Sequence, residues 1–189
     1  MILIPVCVPI GVLGLVLLVW LIGTYNGLVR LRQHCRESWA GIDTELKRRY
    51  DLIPNLVETV KGYAAHEREV LTAVVEARSR AVASTGSPHS QARDENVLVG
   101  ALKTLFAVSE GYPDLKASAN FLKLQEELAI TENRIQAARR FYNANVRDLN
   151  TRRELFPSRL VAQMFNFQAE EYFEIESAAE REPVRITLH

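Results

Sequence analysis

The residues of this chain that could do chemistry are few and scattered. His66-Glu67 opens a zinc-protease pattern, in which two histidines one helical turn apart hold the metal and the glutamate is the general base. That pattern needs its second histidine three positions after the glutamate, where Val70 stands, so the metal reading fails. Glu67 itself is favoured as one half of a structural ion pair. Cys35 could be a nucleophile only beside a convergent histidine. None of His34, His66, His89 and His189 is placed by a motif, so Cys35 reads as a small buried apolar residue. The densest polar cluster is Arg48, Arg49, Asp51 and Asn55. Its functional reading is a docking patch for a partner, and its plainer and favoured reading is a capped helix start with a charged turn. Arg134, Arg139 and Arg140 follow Glu126, Glu127 and Glu132 at spacings that allow salt bridges along a solvated helix face. There is no glycine-rich phosphate loop, no cysteine pair with metal spacing and no nucleophile elbow. The expectation is no catalytic residue, no metal and no cofactor, hence a protein that is not an enzyme.

The elements that position these residues begin with an apolar run. Residues 1 to 29 carry no charged side chain, and Ile2 to Ile22 is almost wholly apolar. A helix of about twenty residues crosses the hydrocarbon core of a bilayer. A cleaved signal would need a basic start, a shorter apolar stretch and a small-residue cleavage site; Ile22-Gly23-Thr24-Tyr25 is a poor one, so an anchor is favoured. Pro5 and Pro9 fall in the first turns, where a missing N–H costs least. Trp20 and Tyr25 fit an interfacial aromatic belt. Arg30, Arg32 and Arg36 follow as a basic collar against head groups, with Lys47, Arg48 and Arg49 beyond. The positive-inside rule then puts the body in the cytoplasm and the N-terminus outside, in the inner (cytoplasmic) membrane; the alternative is a body in the periplasm or cell exterior.

Composition narrows the rest. Lysine plus arginine, 23, equals aspartate plus glutamate, 23. That balance argues against a general nucleic-acid binder. About 160 residues after the anchor suffice for one domain with a core. Cys7 lies in the apolar run and Cys35 in the body, so no internal disulfide is expected. The tail from Asn166 is acidic: Glu170, Glu171, Glu174, Glu176, Glu180 and Glu182 outnumber Arg181 and Arg185.

From Leu28 the apolar residues recur at alternating three and four. One set is Cys35, Ile42, Arg49, Leu56, Tyr63, Val70 and Ala77; the other is Trp39, Leu46, Ile53, Val60, Glu67, Val74 and Ala81. Only Arg49 and Glu67 interrupt this helical stripe. The register crosses Pro54, which predicts one long helix, kinked or straight, or two nearly collinear ones with Asp51 as the second cap. Ser84 to Pro88 ends it, with Gly86 suited to a left-handed residue and Pro88 either blocking continuation or starting the next helix. A loop to about Ala92 and a shorter helix from about Asp94 to Glu110 follow, apolar at Leu98, Ala101, Leu102, Leu105 and Phe106. Gly111-Tyr112-Pro113 stops that helix. A second long helix starts at Asp114 or Ser118, with Phe121, Leu124, Leu128, Thr131, Ile135, Ala138, Tyr142, Asn145 and Leu149 on one stripe. Asn145 is a register-fixing polar residue. After Phe156-Pro157, Ser158 is a possible cap for a short amphipathic helix through Leu160, Val161, Met164 and Phe165. Pro183 to Leu188 alternates weakly and could be extended. Core positions are expected at Leu46, Ile53, Val60, Leu128, Ile135 and Tyr142.

The chain resembles the LemA family. The resemblance rests on Tyr25-Asn26 with Leu28-Val29, on WAGIDTELKRRYDLIPNLVETVKGYAAHE from Trp39 to Glu67, and on YPDLKASANFLKLQEEL from Tyr112 to Leu128. It continues in TENRIQAARRFYNANVRDLN from Thr131 to Asn150 and in FPSRLVAQMF from Phe156 to Phe165. It implies one membrane helix, a cytoplasmic helical domain, and a role in organising membranes rather than chemistry, since a related branch works in magnetosome membranes. It supplies no catalytic residue.

Together these readings predict an all-α protein: an N-terminal transmembrane helix (1–25), an elongated antiparallel helical bundle (26–165) and an acidic C-terminal tail (166–189). The expected function is a membrane scaffold or adaptor that self-associates as a homo-oligomer, with membrane lipid and a membrane protein as partners and no nucleic acid. The alternative is an accessory subunit of membrane proteolysis or envelope-stress machinery. An uncharacterised hydrolase is the least favoured class.

Overall fold

The computed structural model describes the backbone from residue 4 to residue 174 and side chains from residue 11. The acidic residues Glu176, Glu180 and Glu182 and the alternating segment Pro183 to Leu188 lie outside the described residues, as do the side chains of Pro5, Cys7 and Pro9. The described chain is all-α: α1 (Ile4–Lys61), α2 (Arg68–Ala83), α3 (Pro88–Ser109), α4 (Pro113–Lys116), α5 (Ala119–Glu154) and α6 (Ser158–Met164).

The apolar run and the first heptads form one unbroken helix, α1. It passes through Pro54, where the expected alternative was a fresh start capped by Asp51. Proline has no N–H, so an interior proline orphans the carbonyl four residues earlier. Here that carbonyl belongs to Tyr50, and the Arg78 guanidinium supplies the donor instead, Nε donating at 2.7 Å. The break in the long stripe comes later, at Gly62 to Glu67. The stripe therefore loses its seam there, and Tyr63, expected inside, is exposed.

Three further expectations are corrected. No described glycine has positive φ, so Gly86 is not a left-handed residue. A Cβ added there would press on the Ser90 hydroxyl, which would have to turn aside. The next helix starts at Pro88 rather than Asp94, with Ser87 as N-cap and proline in the first turn. Ser158 is not a cap but a buried residue of α6, whose hydroxyl donates to the carbonyls of Arg152 and Leu155 at 2.7 and 2.9 Å.

The chain divides into two compact units. Residues Met1–Ser38 and Asn143–Glu170 make the first, and Trp39–Tyr142 and Glu171–His189 the second. In the second unit α1 and α5 run antiparallel: Trp39 meets Tyr142 with ring centroids 5.2 Å apart, Glu45 faces Arg134 at 3.9 Å and Arg49 faces Glu132 at 2.9 Å. The paired residue numbers fall on one side as they rise on the other, as antiparallel helices require. Ile42, Leu46, Ile53, Leu56 and Val60 of α1 and Phe121, Leu128, Ile135 and Tyr142 of α5 are buried, including all six expected core positions. α2 and α3 pack as a hairpin, burying Leu71, Val74, Leu98, Leu102 and Leu105. In the first unit the Asn145 amide donates to the His34 carbonyl at 3.4 Å.

The first residues of the acidic segment that starts at Asn166 pack within the units. In the first unit Phe167 is buried, and Asn150 holds the backbone at Glu170 by donating to its carbonyl (2.9 Å) and accepting from its amide (3.0 Å). In the second unit Phe173 is fully buried against Trp39, with centroids 5.1 Å apart. Aromatic side chains this large bury too much apolar area to leave in water, and they take the start of the tail with them.

Candidate functional site

The first feature with functional content is the apolar half of α1. From Val12 to Ile22 its large side chains point away from the protein, most of them 48 to 63% exposed. Fully burying one such side chain is worth about 1.5–3 kcal/mol. Nine of them half exposed therefore leave on the order of 10 kcal/mol ungained in water. A bilayer core recovers it, and α1 meets the length and composition for crossing one. The basic collar sits about two to four helical turns beyond. Arg30 and Arg36 are exposed. Arg32 is half-buried, its guanidinium 5.0 Å from the centroid of the Phe167 ring in the same unit, an arrangement favoured by the ring's quadrupole.

The second feature is the polar cluster on α1 in the second unit. Arg48, Asp51 and Asn55 are exposed and, at spacings of three and four, share one face. Arg49 departs from them: it is 1% exposed and belongs to the core, which corrects its place in the docking set. There its guanidinium pairs with Glu95, itself 2% exposed, and donates to Glu132 at 2.9 Å. The Tyr50 hydroxyl donates to the other Glu95 oxygen. Glu132 is also held by the Gln136 amide at 2.9 Å. One buried cation thus ties α1 to α3 through Glu95 and to α5 through Glu132. Burial pushes the Glu95 carboxyl up from its ordinary value, with Arg49 and Tyr50 opposing. Burial and the adjacent Glu95 also hold the Tyr50 phenol well above the usual tyrosine range.

Sequence reasoning missed Glu95 and Glu132 as partners. The signal was present, since Arg49 interrupts an apolar stripe and a buried guanidinium demands carboxylates. Which carboxylates answer depends on contacts 46 and 83 residues away. Glu67 is the other interruption, and among the described residues its partner is not a cation. It accepts a hydrogen bond from the Tyr112 hydroxyl at 2.7 Å. Cys35 is buried at 2% exposure, and burial, then Glu170 and Asp148, push its thiol up to about 11. That places it among inert cysteines. Among the described residues no group of three or more His, Cys, Asp or Glu side chains converges as a metal site. A shallow cleft of about 570 Å³ lies where α1 meets α2, lined by Val57, Leu71, Thr72 and Val75 with Lys61 and Arg68.

An apolar helix fit to cross a membrane, running without interruption into an antiparallel helical bundle, defines a class of membrane-anchored all-α proteins. A profile of the LemA family matches residues 38–188, and the chain belongs to that family. It is 30% identical over 159 residues to "Protein LemA" of Metamycoplasma hominis, covering 79% of this chain and 71% of that one. It is 25% identical over 190 residues to "Magnetosome protein MamQ" of Magnetospirillum gryphiswaldense, covering 87% of this chain and 70% of the relative. "Magnetosome protein MamQ 2" of Paramagnetospirillum magneticum matches at 25% over 181 residues, 82% of this chain and 66% of its own.

Proposed function

We propose that this protein is a non-enzymatic scaffold or adaptor held in the cytoplasmic membrane, with its N-terminus outside, its helical body in the cytoplasm, and copies that associate with one another. The observation that carries the reading is α1: the segment that needs lipid and the segment that builds the core are one helix, Ile4–Lys61. A protein that organises other components at a membrane needs both segments, and here one helix supplies them. The collar of Arg30, Arg32 and Arg36 supports the orientation, since basic residues stay on the cytoplasmic side. The exposed stripe of Arg48, Asp51 and Asn55 supports the adaptor role. The two magnetosome relatives support a setting at an organised membrane.

Affinity capture of the full chain from native membranes, after brief amine crosslinking, tests the reading. Ladders of the protein with itself, or a co-purifying membrane protein lost on substitution of Arg48, Asp51 and Asn55, are the expected results. Strictly monomeric protein without partners refutes scaffold and adaptor alike. Turnover of any substrate abolished by a single polar substitution refutes the non-enzymatic role.

A further inference from the structure

A second apolar surface lies in the first unit, far along the sequence from the anchor. Leu155, Phe156, Leu160, Met164 and Phe165 are 46 to 81% exposed, with Phe156 the most open. They belong to one short stretch, the end of α5, the turn at Pro157 and α6. The opposite side of α6 is already buried through Ser158, Val161 and Ala162. A short helix that is apolar on its outward face as well as its inward one is badly matched to water.

Its position says what covers it. The Phe165 ring lies 4.8 Å from the ring of Tyr25, and the Phe167 ring 5.8 Å. Tyr25 lies just past the apolar run of α1 that ends at Ile22, where an interfacial aromatic belongs. The stretch therefore lies at the level where α1 leaves the hydrocarbon. Its charges agree: Arg152, Arg153 and Arg159 flank the apolar residues against Glu154 alone, and Arg153 and Arg159 line a cleft of about 470 Å³ beside Ala162 and Phe167. Apolar side chains ringed by arginines are the composition of a segment lying in the interface of an anionic bilayer.

We propose that residues 155–165 are a second membrane contact, inserted shallowly into the leaflet that α1 leaves, with Phe156, Leu160 and Met164 among acyl chains and Arg152, Arg153 and Arg159 at the phosphates. This rests on the reading of α1 as a membrane span. With two contacts on one leaflet, the first unit is held against the bilayer surface rather than hung from a single helix.

Spin labels on the full chain test it in lipid nanodiscs of phosphatidylethanolamine and phosphatidylglycerol. The background is Cys7→Ala with Cys35→Ala. Labels go singly at Phe156→Cys and Met164→Cys, with Leu18→Cys reporting the anchor and Glu126→Cys reporting water. Far-UV circular dichroism checks each variant for native helix. The ratio of oxygen to nickel-chelate collision at 156 and 164 is expected to be several-fold above that at 126 and to approach that at 18. A ratio at 156 and 164 equal to that at 126, with 18 still in lipid, overturns this inference alone. Aqueous behaviour at 18 overturns the anchor itself. Protection of 156 and 164 from both reagents means that another copy covers the surface, and also overturns the inference.

Discussion

Arg49→Met is the perturbation that most sharply separates the buried charge cluster from an ordinary surface ion pair. Arg49 and Glu95 are 1% and 2% exposed, so solvent does not screen them. Removing one partner of a buried pair costs about 3–5 kcal/mol, because the other charge is left uncompensated. The Glu132 arm adds little: its side chain is 37% exposed, and pairs of that kind are worth about 0–1 kcal/mol. Nearly all of the loss therefore comes from orphaned Glu95. Glu95→Gln alone should cost about 1–3 kcal/mol, since Arg49 keeps Glu132 and Tyr50 keeps an acceptor. In the double variant no buried charge remains, so at least about 2 kcal/mol of the Arg49→Met loss should return. Urea unfolding of the full chain in detergent micelles, followed by far-UV circular dichroism, measures all four corners of the cycle. An Arg49→Met cost under about 1 kcal/mol, or single costs that simply add in the double, would refute the reasoning.

Acidity gives the same cluster a second signature. Burial raises the Glu95 carboxyl above its ordinary value of 4.5. Between that value and the raised folded one, the folded chain therefore holds a proton that the unfolded chain has released. That contribution is complete below about pH 4.5 and is lost as pH rises through the folded value. Losing Arg49 removes an opposing influence and carries the carboxyl higher still, so the Arg49→Met deficit should shrink as pH falls from about 8 to about 5; a constant deficit would contradict this. Arg78→Ala should cost about 1–3 kcal/mol by orphaning the Tyr50 carbonyl, and much less in a Pro54→Ala background, where a restored N–H takes its place; equal costs in both backgrounds would exclude the compensation. In Cys7→Ala protein at pH 8, Cys35 should react with a maleimide on the order of 100-fold more slowly than in the unfolded chain, given a thiol at about 11 rather than 9.0; native and unfolded rates that coincide would show it is accessible. Leu17→Arg places a charge near the middle of the apolar run at about 2.5–3.5 kcal/mol, and fractionation should then find a soluble pool absent from the native protein.

The sequence alone determined most of the helical stripes and an apolar run fit to cross a membrane. Periodicity is local, so the stripes from Ile42 to Val60 and from Phe121 to Leu149 announced helices and most of their buried residues. A run without charge from residue 1 to residue 29 announced a membrane helix on length and transfer energy alone. It also flagged Arg49 and Glu67 as misfits in an apolar seam. Only the tertiary structure decided what answered them: Glu95 and Glu132 for the first, Tyr112 for the second. Only it decided that α1 survives Pro54, because the compensating donor comes from Arg78, 28 residues away, and that Phe167 and Phe173 draw the start of an acidic tail into the units. The physical reason is common to all of these. A helix is specified by neighbours three and four positions apart, whereas the partner of a buried charge or an orphaned carbonyl is specified by how helices dock, and nothing in local spacing encodes that.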